Sequence, residues 1–341
     1  MTKQRIEWAD TMKAGSIMAV VLYHTGIQAD VKSMAYLLCL PAFFFVSGLF
    51  ASATSGFGTA LKRSMRLMWP YLIFGVLSWV AWLAVGRRYG SDAGEVIAWW
   101  QPLWGLVVGR SEGIIQNAPL WFLPCLMVVE WLFYVVMRCP SRWTWVCTVL
   151  LSVAGYCMGQ VLDWHLPWSM DTAMTILPLY VLGYATRRWL EAWNERHSVP
   201  QGIVVWVVAV LGVACVWYLN PGIKLSAGHY GHPVLFYAGE LLVVLFWYMT
   251  ALGIGRMPYL SRAMQWLGRQ TLWILCLHLP LFGVIKGALL VVGVPLQFYT
   301  TNAGSLTLWA GSLVLSIPLI LLSNRRTSVL GARTPRVSPG A

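Results

Sequence analysis

The sequence predicts an all-α integral membrane protein of about ten transmembrane helices with both termini cytoplasmic. Three observations carry that expectation. First, 58% of the 341 residues are apolar and only 11% are charged, against roughly 25% charged in an ordinary soluble domain. Mean hydropathy is +0.65. This much apolar surface cannot be hidden inside one water-facing core, and it excludes a disordered chain. Second, the apolar residues fall in runs of roughly 17–25, the length a helix needs to cross hydrocarbon. Third, the 24 Lys and Arg are shared unevenly between alternate polar breaks.

The runs are 12–27, 35–54, 68–86, 118–137, 143–161, 172–187, 202–219, 233–253, 271–291 and 303–322. The first and sixth are the shortest. The first follows a polar stretch with Glu7 and Asp10 and lacks a small-residue cleavage site, so a removable signal peptide is not expected. The third opens after Lys62-Arg63-Ser64-Met65-Arg66. Its Pro70 falls in the first turns, where proline is best tolerated. The longest polar connection is 87–117, and its Glu95–Trp104 stretch could lie along the interface. Residues 1–322 thus read as one membrane domain. Residues 323–341, rich in Ser, Arg, Pro and Gly, read as a disordered cytoplasmic tail.

Charge placement fixes the orientation. With the amino terminus inside, eighteen of the 24 cations fall in inner segments and five outside: Lys32, Arg87, Arg88, Arg110 and Lys224. Such a split favours both termini inside. The net charge of +12 is therefore a topology signal first, and it suits an anionic inner leaflet. It does not gather on one face, so no nucleic-acid partner is expected. The seven cysteines form no CxxC pair and read as small buried apolar residues. His229 and His232 make an HxxH with no third ligand at helical spacing, and no metal is expected. The two halves show no repeat of the kind that marks inverted-repeat transporters.

Titratable groups inside a bilayer are costly, so each is a candidate for function. The set is His24, Glu130, Glu240, His278 and Lys286, with Lys13 at the inner mouth of the first span. Lys13 and His24 are three turns apart on one stripe, with about 16 Å of rise between them. A substrate along that stripe could have its anionic end on Lys13 and its reactive end at His24. The alternative is a lone histidine bonded to a neighbouring helix. His278 lies at a similar depth, and two histidines at one depth suggest a polar chamber. Glu130 and Glu240 could orient an imidazole, meet a hydroxyl-bearing acceptor, or pair with Lys286. Lys62, Arg63 and Arg66 read either as a positive-inside anchor or as a phosphate clamp beside a helix start.

Several stretches together resemble the membrane acyltransferase 3 family. Trp8 through Lys13, then Val20 to His24, is similar to its first helix, with a basic residue, ten residues and a histidine. Pro41 to Phe50 resembles its second helix. Lys62 to Arg66 through Pro70 and Tyr71 resembles its basic inner loop. Asn117 to Leu123, Leu177 to Tyr184, and Leu267-Gly268 to His278 resemble its fourth, sixth and late helices. The resemblance covers residues 5–325, and its flavour is the branch with fucose and exopolysaccharide acetylases. One departure stands out. Members that modify O-antigen carry a Trp-Ser-Leu-x-x-Glu stretch where this chain reads Trp121-Phe122-Leu123-Pro124-Cys125-Leu126, and Glu130 lies four residues beyond.

The resemblance implies transfer of an acyl group, usually acetyl, from cytoplasmic acyl-CoA to a hydroxyl of a glycan or its lipid-linked precursor. It implies a bacterial inner-membrane protein working beside glycan-synthesis machinery. Lys62, Arg63, Arg66 and Lys13 would meet the CoA phosphates. His24 would act as general base, or carry the acyl group itself, with Lys13, Glu130 and His278 in support. Acetyl-CoA is then a co-substrate. Two other readings stay open on the residues alone. One is an exporter of a lipid-linked sugar with a His/Glu proton relay. The other is a structural subunit without chemistry.

Overall fold

The computed structural model describes residues 6–53, 57–89, 94–196 and 198–329. They form α1 (Glu7–Tyr23), α2 (Ala29–Cys39), α3 (Pro41–Leu49), α4 (Phe57–Ala81), α5 (Arg87–Tyr89), α6 (Gln101–Val108) and α7 (Phe122–Val136). Then come α8 (Ser141–Tyr156), α9 (Met170–Arg196), α10 (Val199–Leu219), α11 (Pro233–Gly255), α12 (Pro258–Arg269), α13 (Thr271–Val291) and α14 (Asn302–Val329). No strand occurs among the described residues; a single bridge joins Lys224 and His229. In hydrocarbon a backbone must satisfy itself, and helices do so within one segment.

Eight helical stretches among the described residues are long and apolar enough to cross a membrane. The other two expected runs are also helical, as α1 and part of α9. α1 is only 17 residues long and opens with Glu7 and Asp10. α9 is 27 residues long, with Asp171 in its first turn and Arg196 in its last. Both lie deep in the bundle: Ala9, Met12, Ala14, Ile17, Val21, Ala173 and Leu177 are wholly buried. A helix ringed by other helices need not be apolar all round, because protein rather than lipid meets its polar positions. The lipid-type face is found instead on α10, where Ile203, Val204, Val208 and Leu211 are exposed.

Several boundaries differ from the sequence expectation. The second span runs Ala29–Leu49 rather than 35–54, and it breaks before Pro41, which has no amide N–H to continue α2. The Glu95–Trp104 stretch is helical only from Gln101. The connection carrying Arg262 and Arg269 is the amphipathic helix α12, which buries Ser261, Met264 and Gly268 and exposes Tyr259 and Leu260. Such a helix lies in the interface plane. Gln265 on it donates to Glu7 Oε2 at 3.1 Å, which ties it to the start of α1. Finally, α14 continues to Val329, past the expected tail boundary at 323. Residues 330–341, the rest of that tail, lie outside the described residues, as do Lys3 and Arg5.

The seam between α3 and α9 needs two glycines. A Cβ at Gly48 would collide with the Tyr180 carbonyl, and one at Gly183 with the Phe45 carbonyl. Small residues at such crossings let backbones meet closely. Gly48→Val or Gly183→Val is expected to cost about 1–3 kcal/mol by overpacking. This is read as a lower melting temperature in detergent. Gly58→Val, where nothing approaches within 4 Å, should leave that temperature unchanged.

Candidate functional site

The site begins where α1 ends. The His24 amide donates to the Val20 carbonyl at 3.3 Å, so His24 caps the last turn and stays on the Lys13 stripe. The Thr25 hydroxyl takes the Leu22 carbonyl at 2.7 Å and closes the helix there. The helix, expected to continue to residue 27, thus stops four residues sooner, at Tyr23, and His24 sits at a helix end rather than mid-helix. His278 comes from the middle of α13 and is buried. The two imidazoles meet with ring centroids 5.2 Å apart, tilted 46°.

The surroundings of His278 fix its form. Its Nδ1 lies 2.9 Å from the Ile274 carbonyl, which can only accept, so Nδ1 carries the proton. Nε2 is then left with a free lone pair, buried and without a hydrogen-bond partner among the described residues. Two residues on, Pro280 sits inside α13. Having no amide N–H, it frees the carbonyl one turn back, that of Cys276. The Asn117 amide fills the gap, donating to the Cys276 carbonyl at 3.0 Å and to Ser78 Oγ at 3.0 Å. Asn117 thereby locks α13 to α4 beside the histidine pair.

His24 opens onto a cavity of about 210 Å³ lined also by Tyr23, Lys32, Tyr36, Trp121, Lys224 and Ser226. The Tyr36 hydroxyl accepts from the Ser226 amide at 3.1 Å, which fastens α2 to the loop before α11. At the other end of α1, Lys13 Nζ lies 2.8 Å from Asp10 Oδ1. Thr11, Arg256 and Gln265 line a polar cavity of about 340 Å³ at that end.

The remaining sequence candidates sort themselves by partner. Arg63 Nη2 lies 3.3 Å from Glu130 Oε1. Beside it, Trp131 donates to Ser64 Oγ at 2.7 Å. Glu130 therefore joins the basic cluster of α4, and among the described residues it touches neither histidine. Lys62 and Arg66 are exposed. Lys286 packs over the Tyr299 ring at 5.7 Å and pairs with neither glutamate. Glu240 is buried, with Oε2 unpartnered, at the wall of an apolar cavity of about 330 Å³ shared with Ser152 and Tyr237.

A family model described as an acyltransferase domain matches residues 6–325. The chain belongs to the acyltransferase 3 family. No curated protein and no solved structure matches it. The match runs from the start of α1 into α14 and includes both histidines, so this membrane acyltransferase carries the pair within its family domain. Two features of the acyltransferase were not anticipated. One is Asn117, which the sequence offers only as part of a motif. The other is His165, held between Asp163 at 3.0 Å and Asp171 at 3.2 Å. Asp163 and His165 lie in a loop with positive φ at Asp163, Trp168 and Ser169, and Asp171 in the first turn of α9, so no helical period points to such a contact.

Two outcomes follow for this acyltransferase. Asn117→Ala should lose about 1–3 kcal/mol by stranding the Cys276 carbonyl. Pro280→Ala restores an amide to that carbonyl, so Asn117→Ala should cost clearly less in a Pro280→Ala background, as thermal melts would show. Equal costs in both backgrounds would refute the link. Separately, Arg63→Ala and Glu130→Ala should each destabilise. The double variant should lose less than their sum by about 0.5–3 kcal/mol.

Proposed function

We propose that this protein transfers an acetyl group from cytoplasmic acetyl-CoA to a hydroxyl of an exported glycan or its lipid-linked precursor, in a bacterial inner membrane. The observation that carries the reading is His24: a histidine at the end of α1, backed by a second imidazole, opening on a cavity, in a chain of the acyltransferase 3 family. The wider resemblance to fucose and exopolysaccharide acetylases supports acetyl and sugar as the partners.

The chemistry assigns each group a task. The acceptor hydroxyl enters the cavity and gives its proton to a ring nitrogen of His24 as its oxygen attacks the thioester carbonyl. The carbon–sulfur bond breaks, and the imidazolium returns the proton to the departing CoA sulfur. His278 is a positioning residue. Its ring, held by the Ile274 bond, packs beside the His24 ring with centroids 5.2 Å apart and braces its orientation. At the inner end, Lys62, Arg66 and the Arg63–Glu130 pair meet the CoA phosphates, with Lys13 further along the stripe. The pantetheine arm spans the roughly 16 Å of helix between Lys13 and His24.

His24→Ala should lower acetyl transfer by about 10²-fold or more while the protein remains folded in the membrane. Transfer at the normal rate would refute the base assignment. Lys62→Ala with Arg66→Ala should raise the KM for acetyl-CoA and leave the acceptor KM unchanged. The reverse pattern would remove the phosphate clamp.

A further inference from the structure

The cavity over His24 has a charge pattern that a neutral sugar does not explain. Lys32 and Lys224 both line it, and none of its described lining residues is acidic. Neither lysine makes an ion pair among the described residues; the nearby Arg110 is already paired with Glu112 at 2.9 Å. Both lysines stand on pinned backbone, and Lys32 Nζ lies 5.5 Å over the Tyr23 ring. Lys32 lies one turn before Tyr36 on α2, so both side chains share a helix face. Lys224 sits in a closed turn, its amide donating to the His229 carbonyl at 2.7 Å and its carbonyl accepting from His229 at 3.1 Å. The Tyr36–Ser226 bond then ties the two elements together across the cavity. Two cations fixed around one small chamber repel each other unless a counter-charge comes between them.

We propose that Lys32 and Lys224 form an anion subsite, and that the acceptor of this enzyme is an acidic sugar carrying a carboxylate or a phosphate. The inference rests on the reading of His24 as the base that faces the acceptor. The anionic group is gripped between the two lysines, and a hydroxyl of the same sugar is presented to His24. Trp121 and Tyr23 supply apolar walls for the ring, and Ser226 adds a hydroxyl.

The test uses the full chain in lipid nanodiscs without acyl donor. Saturating coenzyme A is present, so that the cluster on α4 is filled. Binding of methyl glucuronide, glucose 1-phosphate and methyl glucoside is measured by calorimetry at low salt. At least one anionic probe should bind about tenfold or more tightly than methyl glucoside, from charge-assisted hydrogen bonds. Which one does so separates carboxylate from phosphate. Lys32→Gln with Lys224→Gln should bring that preference below about twofold, and Lys32→Arg with Lys224→Arg should keep it. Both positions are at least partly exposed, so the variants should fold.

The proposal is overturned if the neutral probe binds as well, if no anionic probe binds, or if the Gln variant keeps the preference. Acetylation assays separate this from the function proposed above. A protein that binds the acidic probe but never acetylates any sugar keeps the subsite and loses the acyltransfer reading. One that acetylates only neutral sugars does the opposite.

Discussion

Within hydrocarbon a polar group has only the protein to bond to, and the arrangement around α13 follows from that. Pro280 removes one backbone donor in the middle of a span. In water the freed Cys276 carbonyl would be solvated. In a bilayer it must find a donor or cost about 1–3 kcal/mol. Asn117 provides the donor, and to do so it must be wholly buried between α13 and α4. The chain around Asn117 is thereby pinned, and Pro119 and Trp121, just after it, become walls of the His24 cavity. A proline two residues from His278 thus decides how one side of the chamber is built.

The same constraint sorts the charges. Arg63 and Glu130 can lie part-buried because each satisfies the other. Breaking such a pair strands one charge, which costs far more than the pair contributes. Asp10 holds Lys13 in the same way. These pairs sit toward the end of the bundle that also carries α12, with its Arg262 and Arg269. Lys32 and Lys224, at the opposite end, have no such partners among the described residues. The contrast is between cations that complete the fold and cations left for something that comes and goes.

The helical membrane class and eight candidate crossing helices were legible because each run is long and apolar enough to span on composition alone, whether it faces outward, as α10 does, or lies mostly inside the bundle, as Ala118–Val136 does. α1 and α9 were weakest in the sequence: enclosed by protein, they are free to be short or polar. Lys13 and His24 on one stripe could be read from helical spacing alone, since both belong to one element. The meeting of His24 with His278, and of Arg63 with Glu130, could not. Those contacts join distant elements, and no local period encodes which helices become neighbours. Asn117 was hidden differently: its role exists only because Pro280, far along the chain, leaves a carbonyl bare.

The position of His24 at a helix end, rather than mid-helix, has an electrostatic consequence. The carbonyl end of a helix carries a partial negative charge. That charge complements the positive charge an imidazole gains as it takes a proton. Lys32, on the same cavity, works against it. In the proposed reaction His24, as the base, is opposed by that neighbouring cation. An acidic acceptor held between Lys32 and Lys224 offsets that opposition at the moment its own hydroxyl arrives. The group that would select the substrate is then also the group that readies the base. A neutral sugar in the same place would leave His24 facing an uncompensated lysine and would react more slowly even if it bound.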